Sequence, residues 1–138
     1  MENVNYIESN YSIKSRFIPI YEAKVIYCEY KEGGFNDLLS KLNLLYGMVL
    51  EEPSEYEKCY GFCQKFKVNI GFCYFVFINT CDEYKSVYIN TFTHEVYHLI
   101  EKIKEHHGLV AVEYEANEHI AYLTGYINEL LLNRDLIK

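Results

Sequence analysis

Thr93-His94-Glu95-Val96-Tyr97-His98-Leu99-Ile100-Glu101-Lys102-Ile103 is the stretch from which the rest of this chain is best read. Phe92, Val96, Leu99, Ile100 and Ile103 recur at helical spacing, so one side of the segment is apolar and packed. Asn90 or Thr91 suits its N-terminal cap, and Gly108 its C-terminal stop. Lys102, Lys104, His106 and His107 stand where the helix macrodipole favours cations. These signals predict a helix of about 17 residues. Residues four apart share a helix face, which sets the imidazoles of His94 and His98 side by side. Glu95 lies about 100° further round, within reach of a water held by a metal between them. That is the H-E-x-x-H arrangement, two metal-binding imidazoles with a carboxylate beside them. A solvated helix face is the plain alternative. With five histidines in 138 residues, chance gives the pattern in about one of fifty such chains, so the surroundings decide.

The surroundings supply a candidate third ligand. Catalytic zinc usually takes three protein ligands and keeps one position for water. Glu113-Tyr114-Glu115-Ala116-Asn117-Glu118-His119-Ile120-Ala121-Tyr122 opens a second helical segment. Ile120, Leu123, Ile127, Leu130 and Leu131 form its apolar stripe, while Glu115, Glu118, Tyr122 and Gly125 share another face. The connection from Gly108 to about Tyr114 is short, so the two helices should be neighbours. A carboxylate on the second can then point at the histidines on the first.

His94-Glu95-x-x-His98 followed by Asn117-Glu118-x-x-Ala121 resembles the gluzincins, the thermolysin-type metallopeptidases. In that family an N-E-x-x-[SA]-D helix supplies the third ligand, and the 20-residue step from His98 to Glu118 fits its compact spacing. Asn117-Glu118-His119-Ile120-Ala121-Tyr122-Leu123-Thr124-Gly125-Tyr126 is also similar to small phage and prophage proteins with H-E-x-x-H followed by E-x-x-A-Y-L-x-G-Y. About the last 50 residues carry these motifs. The resemblance implies a zincin-like domain with one Zn²⁺ per chain, held by His94, His98 and Glu118. Glu95 would be the general base for hydrolysis of a peptide or protein substrate by metal-activated water. One departure is plain: Tyr122 stands where the gluzincin pattern has an acidic residue that orients a ligating histidine. A phenol accepts the N–H bond but adds no charge, so that support is weaker. Glu113-x-Glu115-Ala116-Asn117 with Ala121 and Leu123 also resembles the ImmA/IrrE metallopeptidases, which cleave repressor-like proteins; there Glu115 would be the third ligand. The N-E-x-x-A-Y-L-x-G-Y context favours Glu118. Tyr114, Tyr122 and His119 are the nearest candidates to stabilise an oxyanion. A protein of another class, a weak or inactive zincin-fold module that sequesters a partner, is the alternative to an enzyme.

Composition sets the outer bounds. Half of the 138 residues are hydrophobic, enough for a core, and no linker or repeat divides the chain, so one domain over 1–138 is expected. No run approaches the roughly 20 apolar residues of a membrane span, and the first residues lack a secretory apolar segment, so no membrane partner and a cytoplasmic location are expected. The net charge is −7, with basic residues scattered, which argues against nucleic acid as a partner. The acidity could favour cationic peptides, with solubility the simpler reading. The five cysteines match neither a disulfide framework nor tight metal knuckles, and read as reduced, partly buried strand residues.

The first half reads as sheet with one helix. Ile18 to Tyr30 is rich in aromatic and β-branched residues, with Pro19 marking an edge or a strand start. Phe35 to Tyr46 carries Leu38, Leu39, Leu42 and Leu45 at helical spacing and ends near Gly47. Tyr60–Val68 and Phe72–Asn79 read as strands joined by a turn at Asn69-Ile70-Gly71, and Val87–Ile89 as a short extended lead-in. The expected class is α+β: a small, mostly antiparallel N-terminal sheet with one helix, then the H-E-x-x-H helix and the third-ligand helix. The zincin likeness implies that the Phe72–Asn79 strand holds an extended peptide along a sheet edge beside the site, while the residues alone support a plain core strand equally.

Overall fold

Pro19 turns the chain between two strands. Its fixed φ starts a turn of 3-10 helix at Pro19–Tyr21, and Glu22 adopts a left-handed φ of 49° with its N–H donating to Pro19 O at 3.2 Å. β2 (Tyr11–Ile18) and β3 (Ala23–Tyr30) therefore pair antiparallel, with Ile18 opposite Ala23. The strand expected from Ile18 to Tyr30 is thus β3, which starts at Ala23 rather than at Ile18, and β2 is an addition before it. The computed structural model describes residues 3–81, 86–106 and 114–132.

β1 (Val4–Ile7) adds to the outer side of β2. After β3 the chain forms α1 (Phe35–Tyr46), with the limits that its leucine spacing predicts. Phe35, Leu38, Leu42 and Tyr46 are buried, and Gly47 ends the helix at φ 69°, donating its N–H to Asn43 O at 2.8 Å. A short α2 (Pro53–Glu57) precedes β4 (Gly61–Val68) and β5 (Gly71–Asn79), a hairpin that closes at Val68 and Gly71 as expected. Two long helices complete the fold, α3 (Tyr88–His106) and α4 (Tyr114–Leu132). A helical turn at 86–87 runs directly into α3, in place of the extended piece expected at Val87–Ile89. Asn90 and Thr91 consequently lie inside the first turn rather than at its cap, and Gly108 falls outside the described residues.

The strand order is β1-β2-β3-β5-β4, parallel only between β3 and β5. The class is thus α+β, a five-stranded, mostly antiparallel N-terminal sheet followed by helices. Alternation in β5 separates two cores: Tyr74, Val76 and Ile78 face α3 and α4, whereas Cys73, Phe75 and Phe77 face α1. Apolar residues on both faces are what an interior strand requires. Phe72–Asn79 is therefore the core strand of the two readings, which corrects the edge role implied by the likeness: β3 occupies its far side, and β4 is the edge.

Phe92, Val96, Leu99, Ile100 and Ile103 bury the apolar side of α3 against the sheet, and Leu123, Ile127, Leu130 and Leu131 of α4 join the same core. Two buried cations fasten the end of α4. Arg16, fully buried, donates from Nε to Leu130 O at 3.2 Å, from Nη1 to Val4 O at 3.2 Å and from Nη2 to Asn5 Oδ1 at 2.6 Å. Lys14 Nζ donates to Leu131 O at 2.5 Å. Positive groups at these last carbonyls complement the helix dipole. Among the described residues no helix is long and apolar enough to cross a membrane.

Candidate metal centre

Packing fixes the orientation of α3, and with it the three residues of its motif. With Phe92, Val96 and Leu99 turned to the sheet, His94 is exposed and His98 half-buried along one flank. Thr91 and Glu95, one turn apart, point toward the start of β4 and are buried. Gly61 makes that approach possible: a β-carbon there would lie 2.9 Å from Thr91 Cγ2 and 3.2 Å from Glu95 Cγ. A glycine inside a strand is the sequence sign of such close approach; Gly61 carried it and was not among the residues singled out.

The two imidazoles converge. His94 Nε2 and His98 Nε2 are 3.0 Å apart, and the rings stand edge to face with centroids 4.6 Å apart at 81°. Ligand atoms of His94, Glu95 and His98 all lie within 4.8 Å of one another, the only such group among the described residues. Tetrahedral coordination at about 2.0–2.1 Å per bond separates two nitrogens by about 3.3 Å, so a small opening of the pair would admit a metal. Without a metal, one ring N–H donates to the other ring's nitrogen. The donor set fits a divalent ion that prefers imidazole.

Glu95 is 4% exposed, and burial raises its carboxyl above the usual carboxylate range, the neighbouring His94 and His98 acting in the opposite sense. Cys63 lies close by on β4. Burial first, then the Glu95 carboxylate, push its thiol up to about 12, with Lys102 opposing. A groove of about 500 Å³ opens over the motif, lined by Tyr60, Gly61, Val87, Asn90, His94 and Glu95 among others. The sheet thus brings the start of β4 to the motif, a juxtaposition that no spacing in the sequence announces.

Glu118 and Glu115 fall on α4, which packs beside α3, and their side chains lie outside the described residues. The same holds for Tyr114, His119 and Tyr122. Cys28, Cys59, Cys63 and Cys73 are thiols outside any disulfide. Cys28, Cys63 and Cys73 are strand residues, whereas Cys59 and Cys81 lie outside the strands. No family model, curated protein or solved structure matches the chain.

Proposed function

We propose that this chain is a zinc-dependent peptide hydrolase with a minimal zincin-like domain, in which His94, His98 and Glu118 hold the metal and Glu95 is the general base. The observation that carries the reading is the convergence of two imidazole Nε2 atoms at 3.0 Å beside a buried carboxylate, with His94 and Glu95 lining an open groove. When bound, zinc supplies Lewis acidity, polarising a carbonyl and acidifying water. The protein's own residues do the rest. His94 and His98 set the position of that chemistry at the groove wall. Glu95 accepts a proton from the attacking water and returns it to the leaving amine, a task suited to a carboxyl whose burial raises its proton affinity. An extended substrate adds to the edge of β4, which no strand covers among the described residues.

Glu95→Gln is the decisive variant. It should retain zinc and lose peptide cleavage by a factor of at least about 100, the usual size of a general-base contribution. Undiminished cleavage in that variant would sink the mechanism. Zinc retention with no cleavage in the wild type would favour the sequestering module.

A further inference from the structure

From Lys58 to Cys81 the sequence contains no acidic residue, the longest such stretch in a chain with 20 of them. That stretch is the β4–β5 hairpin with its approach, so the acid-free region of an acidic protein coincides with its edge strand. Within β4, alternation puts Gly61, Cys63, Lys65 and Lys67 on the face toward α3, while Phe62, Phe66 and Val68 pack on the α1 side. Lys65 stands over Phe72 with Nζ 4.8 Å from the ring centroid and over Tyr74 at 5.9 Å, and Lys67 over Phe72 at 5.9 Å. Phe72 is itself 56% exposed. Lys102 extends the pattern from α3, within electrostatic reach of Cys63. Its acidic neighbour Glu101 shares a hydrogen bond with Tyr97, a residue exposed to solvent.

Distances along the elements link this patch to the motif. Gly61 touches Glu95, and Lys65 and Lys67 follow about 13 and 20 Å further along the strand. Lys102 lies about 10 Å beyond Glu95 along α3. A peptide added to the β4 edge with one bond over Glu95 would therefore carry its side chains past three ammonium groups on one side of that bond. Ammonium groups over aromatic faces are held in place without losing their charge.

We propose that the β4 edge, through Lys65 and Lys67 with Lys102 opposite, selects extended peptides bearing acidic side chains to one side of the bond presented at Glu95. The inference rests on the hydrolase reading for that bond, and on the edge strand alone for its charge preference. It replaces the cationic substrate that the overall net charge suggests, because the local field at the groove, not the total charge, acts on a bound peptide.

The test uses labelled decapeptides of alternating valine with glutamate, serine or lysine, so that one face of an added strand carries the variable residue. Affinity is measured by fluorescence anisotropy on the full-length Glu95→Gln variant with zinc added, so that nothing is cleaved. The glutamate peptide should bind about tenfold more tightly than the serine peptide at low salt, and the lysine peptide more weakly than either. The difference should vanish near 1 M salt, where screening acts within about 3 Å. Lys65→Glu with Lys67→Glu should reverse the order, and the paired Gln substitutions should flatten it. Equal or undetectable binding of all three peptides overturns the proposal, as does an order that charge reversal leaves unchanged. Acid-selective binding by a chain that takes up no zinc would keep the strip and overturn only the hydrolase. Cleavage by the wild type without charge preference would do the opposite.

Discussion

Gly61 and Glu95 are in contact across the strand–helix boundary: a β-carbon at Gly61 would stand 3.2 Å from Glu95 Cγ and 2.6 Å from Phe77 O. The absent side chain is what lets the edge strand and the motif helix meet at the groove.

Gly61→Val is therefore expected to push β4 away from α3. A stability loss of about 1–3 kcal/mol, the usual result of overpacking, should appear in urea unfolding. Peptide cleavage should fall further than stability, because Glu95 is displaced with the strand. Unchanged stability would mean that the approach is looser than the structure has it.

Glu95 bears on stability as well as on chemistry. Its carboxyl is raised by burial, so the folded state favours the protonated form. That contribution is fully present below the unfolded value near 4.5 and is lost as pH rises through the higher folded value. Between pH 4 and neutral pH that contribution is lost from the metal-free wild type, whereas Glu95→Gln does not titrate and loses nothing. Thermal unfolding of the metal-free variant at pH 7 should show a higher Tm than wild type, with the gain shrinking at pH 4. An equal gain at both values, or a loss, would contradict the burial argument.

Two strand thiols, the half-buried Cys63 and the buried Cys73, predict the alkaline limb. Cys63 is pushed up to about 12 and Cys73 to about 11 by burial, against an unfolded value near 9.0. The neutral thiols stabilise the fold below pH 9, and that contribution is lost as pH rises toward 11–12. Tm should decline steadily above pH 9, and Cys63 should resist alkylation by iodoacetamide at pH 8 until the protein unfolds. Rapid labelling of native Cys63 would refute the upward shift of its thiol.

Arg16→Leu should be costly despite adding an apolar residue to a sheet. It strands Leu130 O, Val4 O and Asn5 Oδ1, each of which now accepts from the guanidinium. A loss of about 2–4 kcal/mol is expected from denaturant unfolding. A neutral outcome would show that water replaces those donors.

Legibility followed locality. Leu38 and Leu42 before Gly47 fixed α1, the spacing of Phe92, Val96 and Ile103 oriented α3, and Asn69-Ile70-Gly71 marked the β4–β5 turn. What escaped was non-local or against type. β1 and β2 were not expected: β2 carries Lys14 and Arg16 in its middle, and the carbonyls that accept from them lie at the far end of the chain. The parallel pairing of β3 with β5 has no local signature, and it alone makes β4 the edge. Of the site, His94, Glu95 and His98 were legible from helical spacing, whereas the contribution of Gly61 and Tyr60 depends on that strand order.

Metal content tests the central claim most directly. Elemental mass spectrometry on protein purified without chelators or a metal-affinity tag should find about one zinc per chain in wild type and Glu95→Gln, and little in His98→Ala and Glu118→Ala. Wild-type protein that holds no zinc after it is supplied would contradict the account, and the convergence of His94 with His98 would then be a hydrogen bond between two rings.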